Sequence, residues 1–363
     1  MVTAGTHRSR SAEQTLAALL PWLPTFGITR VADVTWLDDL GIPVYQAIRP
    51  KSRSLALSQG KGLTRDLARI SAIMETLEGR AAESVPIARR GTRAADLDLP
   101  YDITTLARFG FEALAECSCL DWAPAVELRT GQHTFVPYDV VSLDWSLRQR
   151  WTPVVFASTS NGLASGNTVA EATLHGLLEV VERAVEAMSD RTEIVDAETV
   201  DSMGARLLLE HIDASDSTIS LKFERNAWGV AVFGASLRNP SYPRFFGGYG
   251  AHLDPDVALC RAITEAAQSR ATHIAGSRDD MGAGAYRFTH FGPREPMPEA
   301  TVTFAEAVDA CTLRSSNDIV EDLRRVVAVL EPYPILVTDL TLAPGIHVAK
   351  VVVPGLPDAK DEK

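Results

Sequence analysis

At 363 residues, 46% hydrophobic and 23% charged, the chain is long enough to bury a sizeable core in one large domain or two ordinary ones. Its 35 Lys and Arg against 47 Asp and Glu leave a net charge of −12, which argues against nonspecific binding to nucleic acid or an anionic membrane and suits cationic peptides or metal-bound ligands. No apolar run reaches the length of a membrane span, and the opening MVTAGTHRSRSAEQ lacks a signal-peptide core, so the expected location is cytoplasmic.

In chain order, the first residues, with His7 and Arg8, read as disordered on composition alone. The stretch 54-SLALSQGKGLTRDLARISAIMETLEGR-80 predicts a glycine-bearing strand or loop running into a helix, and 104–117 predicts a second helix. The run 153-PVVFAS-158 predicts a strand ahead of the long helix in 160-SNGLASGNTVAEATLHGLLEVVERAVEAM-188. An alternating strand at 228–237 precedes another glycine-rich stretch, 245-FFGGYG-250, that opens into a helix. A helix at 319–331 and strands at 335–343 and 346–356 follow, and 357–363 reads as a frayed tail. The three glycine-to-helix stretches share a plan without sequence identity, and their spacing is too irregular for a solenoid. No long linker divides the chain. The expectation is a single mixed α/β domain over 1–356 with a flexible tail at 357–363. Cys117, Cys119, Cys260 and Cys311 are scattered, and the one close pair has no second pair to complete a zinc site, so they read as ordinary thiols.

The helix in 160–188 poses a physical problem. Glu171, His175, Glu179, Glu182 and Glu186 fall on one face, Leu174, Leu177, Leu178, Val180, Val181 and Val185 cover most of the rest, and Arg183 is the single basic residue. Carboxylates on a helix this apolar require a compensating cation. Ser71, Glu75 and Glu78 form a similar stripe on the first of the three helices, and Arg261, Glu265, Gln268 and Thr272 on the third. An acidic stripe is ordinarily a solvated face, but such faces usually interleave lysine or arginine one turn away, and glycine ahead of each helix permits close approach of a ligand. Oxygen donors of this kind suit a hard cation such as magnesium together with nucleotide phosphates. Lys61 in 58-SQGKG-62 is a weaker phosphate candidate, because the segment lacks the P-loop spacing and a turn that starts a helix explains it. His175 reads more simply as a satisfied helix histidine than as a ligand. No Ser-His-Asp spacing stands out, so no residue is assigned to covalent catalysis.

The blocks 58-SQGKG-62 with 71-SAIMETLEGR-80, 160-SNGLASGNT-168 with 179-EVVER-183, and 261-RAITEAAQSR-270 with 276-GSRDD-280 resemble, in order, the three signature blocks of the YcaO family. The resemblance runs from 30-RVADVTWLDDLGIPVYQAIRP-50 to 350-KVVVPGL-356. It implies a YcaO-type α/β fold, with sheets packed against helices that build a central Mg-ATP site, and an ATP- and Mg2+-dependent enzyme that activates a backbone amide of a ribosomally made peptide. By resemblance, Glu75, Glu78, Glu179 and Glu182 are similar to magnesium-site glutamates, joined by Glu171 and Glu265. Ser71 and Asn167 stand beside them. Arg183, Gln268, Arg270 and Arg278 are similar to the groups around the nucleotide, and Arg8 and Thr15 to the N-terminal segment that reaches the phosphates. The nucleophile decides the product: azoline from a side chain of the peptide, thioamide from external sulfide, amidine from an amine. The ending 353-VPGLPDAKDEK-363 in place of a Pro-x-Pro-x-Pro tail resembles the thioamide branch that works with a TfuA partner, or stand-alone bottromycin-type members. Ala184 stands where the family usually has an acidic residue. The expected partners are a precursor peptide and a TfuA-like or peptide-recognition protein, with no nucleic acid and no membrane; the choice between monomer and homodimer stays open. Two other readings are a carboxylate–amine ligase working through an acyl phosphate and a non-catalytic ATP-binding partner protein.

Overall fold

The computed structural model describes residues 2–3, 5–146, 154–189, 192–240, 242–282, 297–316 and 318–358. They divide into two compact units built from interleaved stretches. The first takes Met1–Pro50, Leu55–Thr76 and Val185–Asp318, the second Lys51–Ser54, Leu77–Ala184 and Ile319–Lys363.

The first unit holds a short hairpin of β1 (Val2–Thr3) and β2 (Thr6–His7) and an antiparallel sheet of β3 (Arg30–Asp33), β4 (Val44–Ile48) and β5 (Leu57–Lys61). A four-stranded antiparallel meander follows, β10 (Thr192–Val195), β11 (Thr218–Glu224), β12 (Ala231–Asn239) and β13 (Tyr242–His252). Its helices are α1 (Ala12–Leu19), the first part of α2 (Arg65–Ala82), α6 (Met203–Asp213), α7 (Pro255–Ala275) and α8 (Phe304–Ala310), with the last residues of α5 (Val169–Met188). The core gathers Phe223, Phe233 and Phe304, with ring centroids 5.3 and 5.9 Å apart, against Leu208 and Ile212 of α6 and Leu259 and Ile263 of α7. Each such side chain contributes about 1.5–3 kcal/mol through removal from water.

The second unit is a single antiparallel sheet in the order β6 (Arg89–Thr92), β7 (Leu120–Glu127), β14 (Leu336–Asp339), β15 (His347–Val352), β9 (Leu163–Gly166), with β8 (His133–Pro137) also paired to β7. Its helices are α3 (Glu112–Cys117), α4 (Tyr138–Val141), α9 (Ile319–Val329), most of α5, and the end of α2.

Two of the expected elements change. The helix expected over 104–117 is broken: a 3-10 turn at Ile103–Leu106 stops at extended Ala107, and α3 begins only after Gly110, whose φ of 83° ends any helical path. The strand expected over 153–158 is reduced, within its described residues, to one bridge from Phe156 to Ala107; residue 153 lies outside the described residues. Of the tail, 357 and 358 carry no regular structure and 359–363 lie outside the described residues.

One local plan occurs three times. Strand β5 leads into α2, β9 into α5, and β13 into α7, each through a short turn. In each case a strand glycine lies under the helix that follows. A Cβ on Gly60 would stand 2.0 Å from the Ala72 nitrogen, one on Gly166 2.6 Å from that of Ala172, and one on Gly248 2.3 Å from that of Ala266. Separations this short are sterically forbidden, so these positions require glycine for helix-on-strand packing. At these three positions the helix that follows, not a ligand, occupies the space above the glycine.

All four cysteines are free, as expected. Among the described residues no helix is long and apolar enough to cross a membrane.

Candidate functional site

Helix α2 carries Ser71, Glu75 and Glu78 on one face, and its position over Gly60 sets Glu75 against β5. The backbone N–H of Gln59 donates to the Glu75 carboxylate. That carboxyl is raised to about 7, chiefly because surrounding protein strips its hydration and secondarily because Glu265 is near; the charges of Lys61 and Arg278 pull it the other way. The Lys61 ammonium forms an ion pair with Glu265 of α7. Lys61, which the sequence offered as a phosphate contact, is therefore engaged by a carboxylate of the third stripe.

The arginines of this unit divide by role. Arg278 bonds Asp280 through Nε (2.8 Å) and Nη2 (2.5 Å), while its charge acts on Glu75. Arg270 is buried, and its guanidinium donates to Asp38 (2.8 Å), Asp39 (2.7 Å) and Ser217 (3.0 Å). That geometry ties α7 to the 38–39 turn and to the start of β11. Gln268 is half-buried on α7 between Glu265 and Thr272.

The N-terminal segment, which composition left disordered, is placed. His7 is buried and meets the ring of His252 edge-on, with centroids 5.5 Å apart. His252 accepts from the Asp254 N–H (2.9 Å) at the cap of α7. Burial first, then the charges of Arg261, His7 and Arg8, hold it well below the usual histidine range. Arg8 and Arg261 are thus gathered about a neutral histidine. Thr15 is buried in α1.

In the second unit the residues of α5 are anchored from β9. Ser165 donates to Glu78 (2.5 Å). Asn167 donates to Glu171 through its side-chain amide (3.0 Å) and its backbone N–H (3.2 Å), and the Glu171 N–H donates to Thr168 (3.1 Å). Glu171, 3% exposed, is therefore a helix-capping carboxylate by geometry. Glu182 is buried; His175, Glu179, Arg183 and Glu186 are half-buried. The apolar helix of the sequence reading is confirmed in its burial.

Sequence reasoning missed one cation. Lys350 of β15 is 2% exposed and donates to the Thr159 carbonyl (2.6 Å). Burial lowers its ammonium to about 8 against the opposing charges of Glu179 and Asp358. Its only sequence signal was a lysine inside the apolar strand 346-IHVAKVVVPGL-356.

Among the described residues no three His, Cys, Asp or Glu side chains converge into a ready-made metal cage. Magnesium does not require one, since one or two carboxylates plus water and phosphate oxygens complete its shell. Glu75, Glu78, Glu179 and Glu182 supply only hard oxygen donors, and burial holds the carboxyl of Glu75 above the usual carboxylate range. Oxygen donors of this chemistry suit magnesium.

Comparison with known proteins adds to this geometry. A family model described as YcaO cyclodehydratase, ATP- and Mg2+-binding, matches residues 59–357. An uncharacterized protein of Mycobacterium tuberculosis is 43% identical over 289 residues, covering 78% of this chain and 65% of that protein. The chain thus spans just under two thirds of that relative's length. An uncharacterized protein in the tfuA 3′ region of Rhizobium leguminosarum bv. trifolii is 32% identical over 389 residues, covering 96% of this chain and 88% of its own. Among solved structures, YcaO from Methanopyrus kandleri bound with AMPPCP and Mg2+ matches with a TM-score of 0.69 at 24% identity, over 98% of this chain and 94% of that one. A heterocyclase in complex with substrate and cofactor matches with a TM-score of 0.77 at 23% identity, over 99% of this chain and 54% of that one. At these identities the structures show a shared fold.

Proposed function

We propose, from the premise that this chain belongs to the YcaO family and so shares its cofactors ATP and Mg2+, that it activates a backbone amide of a ribosomally made peptide. The observation that carries this reading is the repeated strand–glycine–helix plan. Glu75 and Glu78 lie on α2, Glu179 and Glu182 on α5, and Glu265 on α7, each helix seated against its own strand.

ATP with magnesium would supply a phosphoryl group to the amide oxygen, turning a poor leaving group into phosphate once a nucleophile has added to the carbonyl carbon. The protein's part is positioning and charge compensation. Glu75, Glu78, Glu179 and Glu182 would hold the metal ions. Arg278, whose charge reaches Glu75, and Arg8 with Arg261, gathered about neutral His252, would face nucleotide oxygens. Ser71, Thr15, Arg183 and Gln268 would complete the surroundings. Asn167 would act by fixing Glu171 at the start of α5, and Glu265 by holding Lys61. Arg270 would serve by holding α7 in place, since its donors are taken by Asp38, Asp39 and Ser217.

For the nucleophile we favour external sulfide, giving a thioamide, with a TfuA-like partner. The Rhizobium relative in the tfuA 3′ region supports this choice over azoline or amidine formation. The test is mass spectrometry of candidate precursor peptides incubated with the protein, ATP, Mg2+, sulfide and the partner. Exchange of oxygen for sulfur is expected. Loss of water would assign a cyclodehydratase or amidine synthase, and joining of two molecules would assign a ligase.

A further inference from the structure

The segment that carries Arg278 leaves α7 and is held by side chains. Gly276 closes the helix in the left-handed region, with φ 59° and its N–H on the Thr272 carbonyl, so the chain beyond it departs from the helical path. A backbone bond from the Met281 N–H to the Arg278 carbonyl (3.2 Å) closes a turn, and further anchors come from the first unit's three-stranded sheet. The Gln46 side-chain amide donates to the Ser277 hydroxyl (3.0 Å), which donates back to the Gln46 side-chain carbonyl (3.3 Å). The Ala56 N–H, just ahead of β5, donates to the Asp279 carboxylate (2.8 Å). Arg278 therefore stands between two tethered neighbours, and all of these residues belong to the first unit.

Gln46 is 5% exposed and lies opposite Gln59, 2% exposed, in the pairing of β4 with β5. Two buried amides side by side are costly unless they are bonded. Both turn to the same end of α7: the Thr272 hydroxyl in the last turn donates to the Gln59 side-chain carbonyl, and Gln46 takes Ser277 just past the cap. Apolar side chains at these positions would also pack a helix against a sheet. What the amides add is direction, because a hydrogen bond fixes the orientation of its partner. We propose that Gln46 is a positioning residue for Arg278: through Ser277 it holds the segment after α7 so that the guanidinium is already aimed when the nucleotide arrives. This deepens the proposed function and rests on its assignment of Arg278 to the nucleotide. Without the tether the aimed arrangement is one of several, and affinity falls by the fraction of time it is populated.

The experiment compares the full chain as wild type, Gln46→Met, Ser277→Ala, Ser277→Thr, Arg278→Met and the Gln46→Met/Arg278→Met double variant. Amide hydrogen exchange at Ala56, followed by NMR without nucleotide, reports the tether, because that N–H is held by Asp279. Calorimetric titration of Mg2+-AMPPCP reports the consequence, and thermal unfolding reports stability. Gln46→Met keeps the length of the side chain and removes its hydrogen bonds. It is expected to speed exchange at Ala56 about tenfold and to weaken Mg2+-AMPPCP binding about three- to tenfold, with the unfolding midpoint within about 3 °C of wild type. Ser277→Ala should weaken binding by the same factor, and Ser277→Thr, which keeps the hydroxyl, should stay near wild type. In the Arg278→Met background, Gln46→Met should cause no further loss of affinity, since the group it positions is gone.

Three results would overturn the proposal: unchanged affinity in Gln46→Met, an affinity loss of the same size in the Arg278→Met background, or an affinity loss with no change of exchange at Ala56. If Gln46→Met does not fold, exposed Ser277 carries the test, with loss in Ser277→Ala and retention in Ser277→Thr supporting the proposal and equal behaviour of the two refuting it. If wild type binds no Mg2+-AMPPCP, the proposed function falls, while exchange at Ala56 still decides whether Gln46 fixes the segment that carries Arg278.

Discussion

The ammonium of Lys61 in β5 pairs with the carboxylate of Glu265 in α7, so the strand before the first acidic helix is tied to the third. Lys61 also lowers the neighbouring Glu75, which Glu265 raises. Replacing Lys61 by Met removes the larger of the two stated charge influences holding Glu75 down. The Glu75 carboxyl should then titrate above its value of about 7 in the metal-free protein, which side-chain carboxyl NMR over a pH series would read directly.

The position of Glu75 also sets the sign of a pH effect. A carboxyl raised from 4.5 to about 7 binds a proton in the folded, metal-free protein, so its contribution to stability is fully present below pH 4.5 and lost as pH rises through 7. Magnesium requires the ionised form, and the proton competes with it. Affinity for Mg2+-ATP should fall as pH drops below 7, by up to about tenfold per pH unit for one proton. Calorimetry in buffers of different ionisation heat should show proton release at pH 6 that Glu75→Gln abolishes.

The two arginines following Glu265 should separate cleanly. Arg270→Met leaves buried Asp38 without its partner, a change that typically costs about 3–5 kcal/mol, and denaturant unfolding should show it. Arg278, exposed enough to reach a ligand and paired to Asp280, should behave in the opposite way. Arg278→Met is expected to weaken Mg2+-dependent ATP binding several-fold with little change in the unfolding midpoint. Equal stability losses from both would place Arg278 in the framework as well.

Along α5, Glu182 is 8% exposed, whereas Glu186, one turn further, is half-buried. Glu182→Gln should weaken Mg2+-dependent ATP binding at least tenfold more than Glu186→Gln, by calorimetric titration; similar effects would shift the metal toward the helix end.

The acidic stripes of α2 and α5 and the glycines ahead of them were readable from local sequence. Helical periodicity alone puts Glu75 with Glu78 and Glu179 with Glu182 on common faces, and a long apolar helix must be buried. Coarse element types followed for the same reason, except at 104–117, where Gly110 with its positive φ defeats a pattern that otherwise looks helical, and over 153–158, where the described residues form only one bridge. The partners of the charges were not readable. Lys61 to Glu265 spans 204 positions in sequence, Arg270 to Asp38 spans 232, and Lys350 to the Thr159 carbonyl spans 191. Periodicity reports which face a side chain occupies within its own helix or strand. Which charge it meets there depends on strand pairing and on helix-to-strand approach at the glycines. Tertiary packing therefore decided that Lys61 and Arg270 are held by carboxylates and that a strand lysine is buried against the Thr159 carbonyl.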